Sequence, residues 1–220
     1  MCNLYRLTTP ANQIEDEFSA MRPPSLNAGE AEVYPGGRGL VVREQDSSRV
    51  IQAMTWGFPI RLKSMKPGSK PKPVNNIARI DAFPWKLIAG SPANRCIIPL
   101  TGFCEAEGAA GSKTRTWFTL KDRPIFAWAG MWRESDEWGP VYSGLMTECN
   151  DFVAQVHDRM PVLLHADEYD RWLHGSLDDV RAFQDRCFPP ELMLMERTPE
   201  LWSKRSSGSS APGSLPQHGR

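Results

Sequence analysis

Residues 95–132, RCIIPLTGFCEAEGAAGSKTRTWFTLKDRPIFAWAGMW, decide the fold. Three runs within them, CIIPLTGF at 96–103, TRTWFTL at 114–120 and PIFAWAGMW at 124–132, are rich in β-branched and aromatic residues. Such runs, bounded by Gly, Asp, Lys and Pro, read as strands. The turn Lys121-Asp122-Arg123-Pro124 predicts a hairpin between the second and third runs. VYSGLMTE at 141–148 adds another strand.

Working outward, GLVVRE at 39–44 and RVIQAMTW at 49–56 are short β-type runs broken by Pro35-Gly36-Gly37 and Asp46-Ser47-Ser48, which predicts neighbouring strands. Near the start, Thr9 is placed to cap a helix with Pro10 at its first position, and Ile14, Phe18 and Met21 follow at helical spacing. Ser176 caps a second helix with Leu177, Val180 and Phe183 on its apolar side, after a helical turn around Tyr169 and Trp172 that ends at Gly175. Strands with peripheral helices define an α+β protein. The expected organisation is one domain over residues 1–202. A disordered tail follows over 203–220, where Ser, Gly and Pro dominate and a single leucine is the only large apolar residue.

The 26 Lys and Arg residues balance 26 Asp and Glu residues, which excludes a globally basic binder and requires any nucleic-acid surface to be local. One candidate surface is present. From Gly57 to Ile80 no residue is acidic, while Arg61, Lys63, Lys66, Lys70, Lys72 and Arg79 and four prolines fall inside, the pattern of a long basic loop. Such a run is either a solvated face or a phosphate-tracking one. No run approaches the about 18 apolar residues of a membrane span, and no signal peptide is legible, so a cytoplasmic protein is expected. Cys2, Cys96, Cys104, Cys149 and Cys187 are odd in number and lack a C-x-x-C pair, which fits reduced thiols and no structural zinc.

Four groups can carry chemistry. The chain opens MCNLYR, and removal of Met1 leaves Cys2 with an α-amine and a thiol on adjacent carbons, two nucleophiles able to meet one electrophilic carbon. In GFCEAEG, Glu105 follows a predicted strand, where burial at a pocket edge raises a carboxyl pKa. In VHDRMPVLL, His157 titrates near neutrality. In VNNIARID, Asn75 and Asn76 offer amides and Arg79 a fixed cation. Each also has a plain structural reading: a buried thiol, a surface carboxylate, a satisfied histidine and a turn.

Together these segments, with TWG at 55–57 and FAWAGMW at 126–132, resemble the SOS-response-associated peptidase (SRAP) family over roughly residues 1–200. The resemblance implies mixed and antiparallel sheets forming a barrel-like core, no cofactor or metal, and a monomer. It also implies covalent capture of abasic sites in single-stranded DNA in the DNA-damage response, with peptidase-type or lyase activity attached to the family. Cys2 is then the nucleophile that closes a thiazolidine, Glu105 and His157 move protons, and Asn76 orients the Cys2 end or the sugar. Arg79, Arg159 and Lys63 bind DNA, and Trp56 offers a face on which a flanking base stacks. The chain departs from the family's N-x-R spacing, since Ile77 and Ala78 separate Asn76 from Arg79 and asparagine stands at both 75 and 76. Two other readings of the same surface remain: a thiol peptidase acting on its own N-terminus through Cys2, His157 and Glu105, and a non-covalent single-stranded DNA-binding module.

Overall fold

The computed structural model describes residues 2–24, 26, 31–61, 64–66 and 68–202. The tail expected from Ser203, and Lys63, lie outside them. The strands in chain order are β1 (Tyr5–Arg6), β2 (Glu32–Val33), β3 (Arg38–Gln45), β4 (Ser48–Trp56), β5 (Phe58–Ile60), β6 (Lys72–Val74), β7 (Asn76–Ile77) and β8 (Arg95–Leu100). They continue as β9 (Gly102–Glu107), β10 (Thr114–Leu120), β11 (Phe126–Ser135), β12 (Gly139–Glu148), β13 (Arg159–Pro161), β14 (Leu163–Leu164) and β15 (Met193–Leu201). The helices are α1 (Ala11–Phe18), α2 (Trp85–Ala89), α3 (Tyr169–His174) and α4 (Leu177–Gln184). The α+β class follows directly.

Strands β12, β4, β3, β8 and β11 pair in that order, and β11 pairs back onto β12, so the larger sheet closes into a ring. A second sheet, β15-β10-β9-β1-β2, lies beside it. Alternation explains the continuous apolar runs of the sequence. Along β8, Ile97 joins one buried cluster and Cys96, Ile98 and Leu100 another; along β11, Ala127, Ala129 and Met131 join the first and Phe126 and Trp128 the second. A strand buried on both faces has no polar alternate positions to show. The first cluster takes in Ile14 and Phe18 of α1, Trp172 of α3 and Val180 and Phe183 of α4, so the helices cover the outside of the ring.

Arg95 is buried without a carboxylate partner among the described residues. Its guanidinium donates to the Ala89, Trp172 and Gly175 carbonyls, which are the C-terminal ends of α2 and α3. A cation there satisfies orphaned carbonyls and the helix dipoles together.

Several local expectations change. The predicted hairpin between TRTWFTL and PIFAWAGMW does not form: β10 pairs with β9 and β15, and β11 with β8, β12 and β14, so the turn carries the chain from one sheet to the other. CIIPLTGF is likewise two strands, changing sheets at Thr101, whose N–H donates to Arg6 O at 2.8 Å. The basic stretch 57–80 is not all loop, since β5, β6 and β7 lie within it. Met21 falls outside α1 and bridges to Val50, because Ser19 ends the helix in the left-handed region with φ 48°. By contrast, β3 and β4 form the neighbouring pair expected, with Asp46 and Ser47 at positive φ in the turn, and Ser176 caps α4 through a reciprocal bond pair with Asp179.

Candidate active site

Pairing of β1 with β9 brings the chain start into the molecule. Tyr5 stands opposite Phe103, and Cys104 N–H donates to Leu4 O at 2.9 Å, so continuing this antiparallel register carries Asn3 and Cys2 alongside Glu105 and Ala106. Cys2 is fully buried, and its thiol donates to the same Leu4 carbonyl at 3.4 Å. Beneath it lies an aromatic floor of Tyr5, Trp56, Trp128 and Tyr142. Gly144 is needed here, since a Cβ at that position would stand 1.9 Å from the Trp128 ring.

Two asparagines grip the Cys2 carbonyl. Asn76 Nδ2 donates to it at 2.7 Å and Asn75 Nδ2 at 2.9 Å. Parallel pairing of β7 with β12, Asn76 beside Gly144, fixes this segment. Asn75 also donates to Asn3 Oδ1 at 3.1 Å, and its own carbonyl receives Trp56 Nε1 at 3.0 Å. The buried Asn76 Oδ1 has no hydrogen-bond partner among the described residues.

Glu105 is buried on β9, and desolvation raises its carboxyl to about 7, with the Asp158 carboxylate adding to the effect. Burial also lifts the Cys2 thiol well above its ordinary value, and the nearby Glu105 charge lifts it further. His157 Nε2 lies 4.0 Å from Glu105 Oε2. Burial lowers the pKa of this imidazole, so it is neutral at pH 7. Its Nδ1 accepts the Arg159 N–H at 3.0 Å, which assigns the remaining proton to Nε2, on the Glu105 side. The neighbouring Asp158 Oδ1, also 3.0 Å from Nδ1, belongs to a side chain 87% exposed and solvated from outside.

Residues the sequence did not single out hold this arrangement. Asn150 Oδ1 accepts Val153 N–H at 2.9 Å and its Nδ2 donates to Phe188 O at 2.7 Å, bracing the turn that delivers His157. Asn150 preceding a short helical turn is a capping signal available in the sequence. Asn75 shares the task given to Asn76 alone.

The structure therefore brings Cys2, Asn76, Glu105 and His157 together. Arg79 and Arg159 line one groove of about 520 Å³, with Thr147, Glu148, Gln184 and Cys187 also on its walls. Gln184 fixes the Arg79 side of it, accepting the Ile80 N–H at 2.9 Å and donating to Met146 O at 2.9 Å. Trp56 requires a correction. It is 0% exposed, packed edge-on against Tyr5 and Trp128 with its N–H spent on Asn75, and so presents no face to a base. Being the inward-facing end of β4 in a closed ring, it supports the asparagine pair instead. Among the described residues no cluster of three or more His, Cys, Asp or Glu is placed to hold a metal, and no helix is long and apolar enough to cross a membrane.

The model of the family described as SOS response associated peptidase (SRAP) matches residues 1–199. The chain belongs to the SRAP family. Among its relatives are the abasic site processing proteins YoaM of Bacillus subtilis (strain 168), 29% identical with 89% of each chain covered, and YobE of the same organism, 26% identical with 89% of this chain and 92% of that one covered. Solved structures of proteins from Bordetella bronchiseptica and Bacteroides thetaiotaomicron share the SRAP chain's fold. Both have a TM-score of 0.73, at 21% and 20% identity; the first covers 90% of this chain and 99% of its own, the second 89% and 91%.

Proposed function

We propose that this SRAP protein captures abasic sites in single-stranded DNA as a covalent thiazolidine on Cys2, once Met1 has been removed. One observation carries the reading: Cys2 is gripped by its carbonyl beside a buried carboxyl whose pKa is about 7, with a neutral histidine behind it. The names of the curated relatives, abasic site processing proteins, support the substrate.

The ring-opened form of an abasic deoxyribose is an aldehyde. An α-amine with its usual pKa of about 7.7–8.0 is partly unprotonated at neutral pH and adds to that carbon. The resulting carbinolamine must lose its hydroxyl as water. Glu105, half protonated near pH 7, donates the proton that this departure needs. The product is an imine, and the Cys2 thiol then adds to the same carbon while its proton passes by way of the Glu105 carboxylate to the nitrogen. Because burial keeps that thiol protonated, the base must be close, which Glu105 is. His157, with its proton on Nε2, replenishes Glu105 or assists sugar opening. Asn76 Oδ1 is a buried acceptor suited to a sugar hydroxyl or the amine.

The two amides hold the carbonyl of Cys2, so they position the nucleophile. Arg79 and Arg159 are placed in the proposal as phosphate contacts.

The test is a denaturing gel of wild type and Cys2→Ala with a single-stranded oligonucleotide carrying one abasic site, the protein having been shown by mass spectrometry to lack Met1. A Cys2-dependent band that survives denaturation is expected. Its absence would leave non-covalent binding as the reading.

A further inference from the structure

Among the described residues, the two large apolar side chains most exposed to solvent stand in one short segment. Phe83 is 84% exposed and Leu87 71%. The segment is not loosely hung. Trp85 packs edge-on against the buried Phe58 ring at 5.2 Å, Ala89 is buried, and the Ala89 carbonyl is clamped by Arg95. Backbone bonds from Ala82 N to Arg79 O, Lys86 N to Ala82 O and Leu87 N to Pro84 O wind the turn that leads into α2. One side of the segment is thus fixed to the core, and the opposite side, bearing Phe83 and Leu87, is held outward. Adjacent apolar side chains held outward on a fixed element offer a small surface on which a ligand can pack.

The surroundings identify its class. Arg79 and Asp81, four and two residues before Phe83 in the chain, line the groove that Arg159 also lines. The Asp81 carboxylate is occupied by Arg181 at 2.7 Å, and Lys86 lies near enough to lower it further. Glu148 and Asp185 lie on the groove as well, away from this segment in sequence. An exposed aromatic side chain with Arg79 four residues before it and Lys86 three residues after it in the chain matches single-stranded nucleic acid, in which bases alternate with phosphates. Two exposed side chains make a patch of the order of one nucleobase, well below the ~800 Å² per partner of a protein–protein interface. Chain connectivity bounds its distance from the chemistry. Asn76, which grips Cys2, is three residues from Arg79 and seven from Phe83, at most about 11 and 25 Å along an extended chain.

We infer that Phe83, backed by Leu87, is the platform on which a nucleobase flanking the abasic site stacks, with Arg79 taking a neighbouring phosphate. The inference rests on reading the site as an abasic-site centre, and it fills the role that Trp56 is too buried to perform.

Binding is measured with a single-stranded oligonucleotide carrying a tetrahydrofuran, which cannot open to an aldehyde, and with a second oligonucleotide in which the bases on both sides of it are also removed. Wild type is expected to bind the second about 5- to 150-fold more weakly, the range for losing one stacked base. Phe83→Ala should bind the first oligonucleotide that much more weakly than wild type, yet lose little more on base removal. Phe83→Trp should restore both the affinity and the sensitivity to the bases. Because Phe83 is exposed, the alanine variant keeps its fold, checked by a matching thermal melt. Equal affinity of Phe83→Ala and wild type, or equal sensitivity of both to base removal, overturns the platform and leaves the patch for a protein partner. A parallel gel with a true abasic site separates the two ideas: no Cys2-dependent adduct sinks the proposed chemistry, whereas an adduct without coupling sinks only the platform.

Discussion

Asn76 Nδ2 donates to the Cys2 carbonyl at 2.7 Å, and the same oxygen receives Asn75 Nδ2 at 2.9 Å. One asparagine with two lone pairs to serve would leave the chain start free to pivot; two from different directions fix it. Single replacements Asn75→Ala and Asn76→Ala should each slow adduct formation by about 2- to 10-fold, the net value of one hydrogen bond. The double replacement should slow it by more than the product of the two, because the remaining donor compensates in either single variant. Rates from quenched denaturing gels check this, and strict additivity would mean that the two grips act separately.

Glu105 makes stability fall as pH rises. Its carboxyl holds a proton up to about pH 7 in the folded protein, against an ordinary value of 4.5. Between those values the native state binds one proton more than the unfolded state, so each pH unit removes about 1.4 kcal/mol, or roughly 3 kcal/mol across the window. Glu105→Gln should therefore be more stable than wild type at pH 8 and no more stable near pH 4, by urea denaturation. Its adduct formation should drop by about 10²-fold or more, the usual contribution of a positioned acid–base group. Parallel stability–pH curves for the two proteins would show that Glu105 titrates as an ordinary carboxylate.

Trp56 separates a stacking residue from a buttress. A tryptophan that only meets a base from solvent can be truncated with little change in stability, within about 0.5 kcal/mol. Fully buried between Tyr5 and Trp128, with its N–H on Asn75, Trp56 should instead cost about 3–5 kcal/mol on replacement by alanine. Chemical denaturation of Trp56→Ala decides between these values.

What the sequence revealed and what it hid follow from the same physics. Strands β8 and β11 were legible because burial on both faces leaves long β-branched and aromatic runs, as in RCIIPL and FAWAGM. Their partners were not, since pairing of β10 with β15 and of β11 with β8 is non-local and a four-residue turn imitates a hairpin. β15, MLMERTPEL, carries charges and a proline in place of an apolar run, so no strand was expected there, yet an edge strand tolerates both. Cys2, Glu105 and His157 stood out by chemical type. The burial of Trp56 and the joint action of Asn75 and Asn76 depend on which way each side chain points inside a closed ring, which spacing alone does not fix.

Arg79 and Arg159 give the proposal a signature in salt. Each lines the groove from a different element, the turn after β7 and strand β13, so each can meet its own phosphate. A contact that neutralises one phosphate of single-stranded DNA contributes about 0.7 to the slope of log affinity against log salt. Arg79→Ala and Arg159→Ala should each lower that slope by this amount and weaken binding to all sequences alike, with the double variant lowering it by about twice as much. Fluorescence anisotropy with a labelled oligonucleotide over a series of salt concentrations gives the slopes. An unchanged slope in either variant removes that arginine from the DNA path, and an unchanged slope in both would move the path away from this groove.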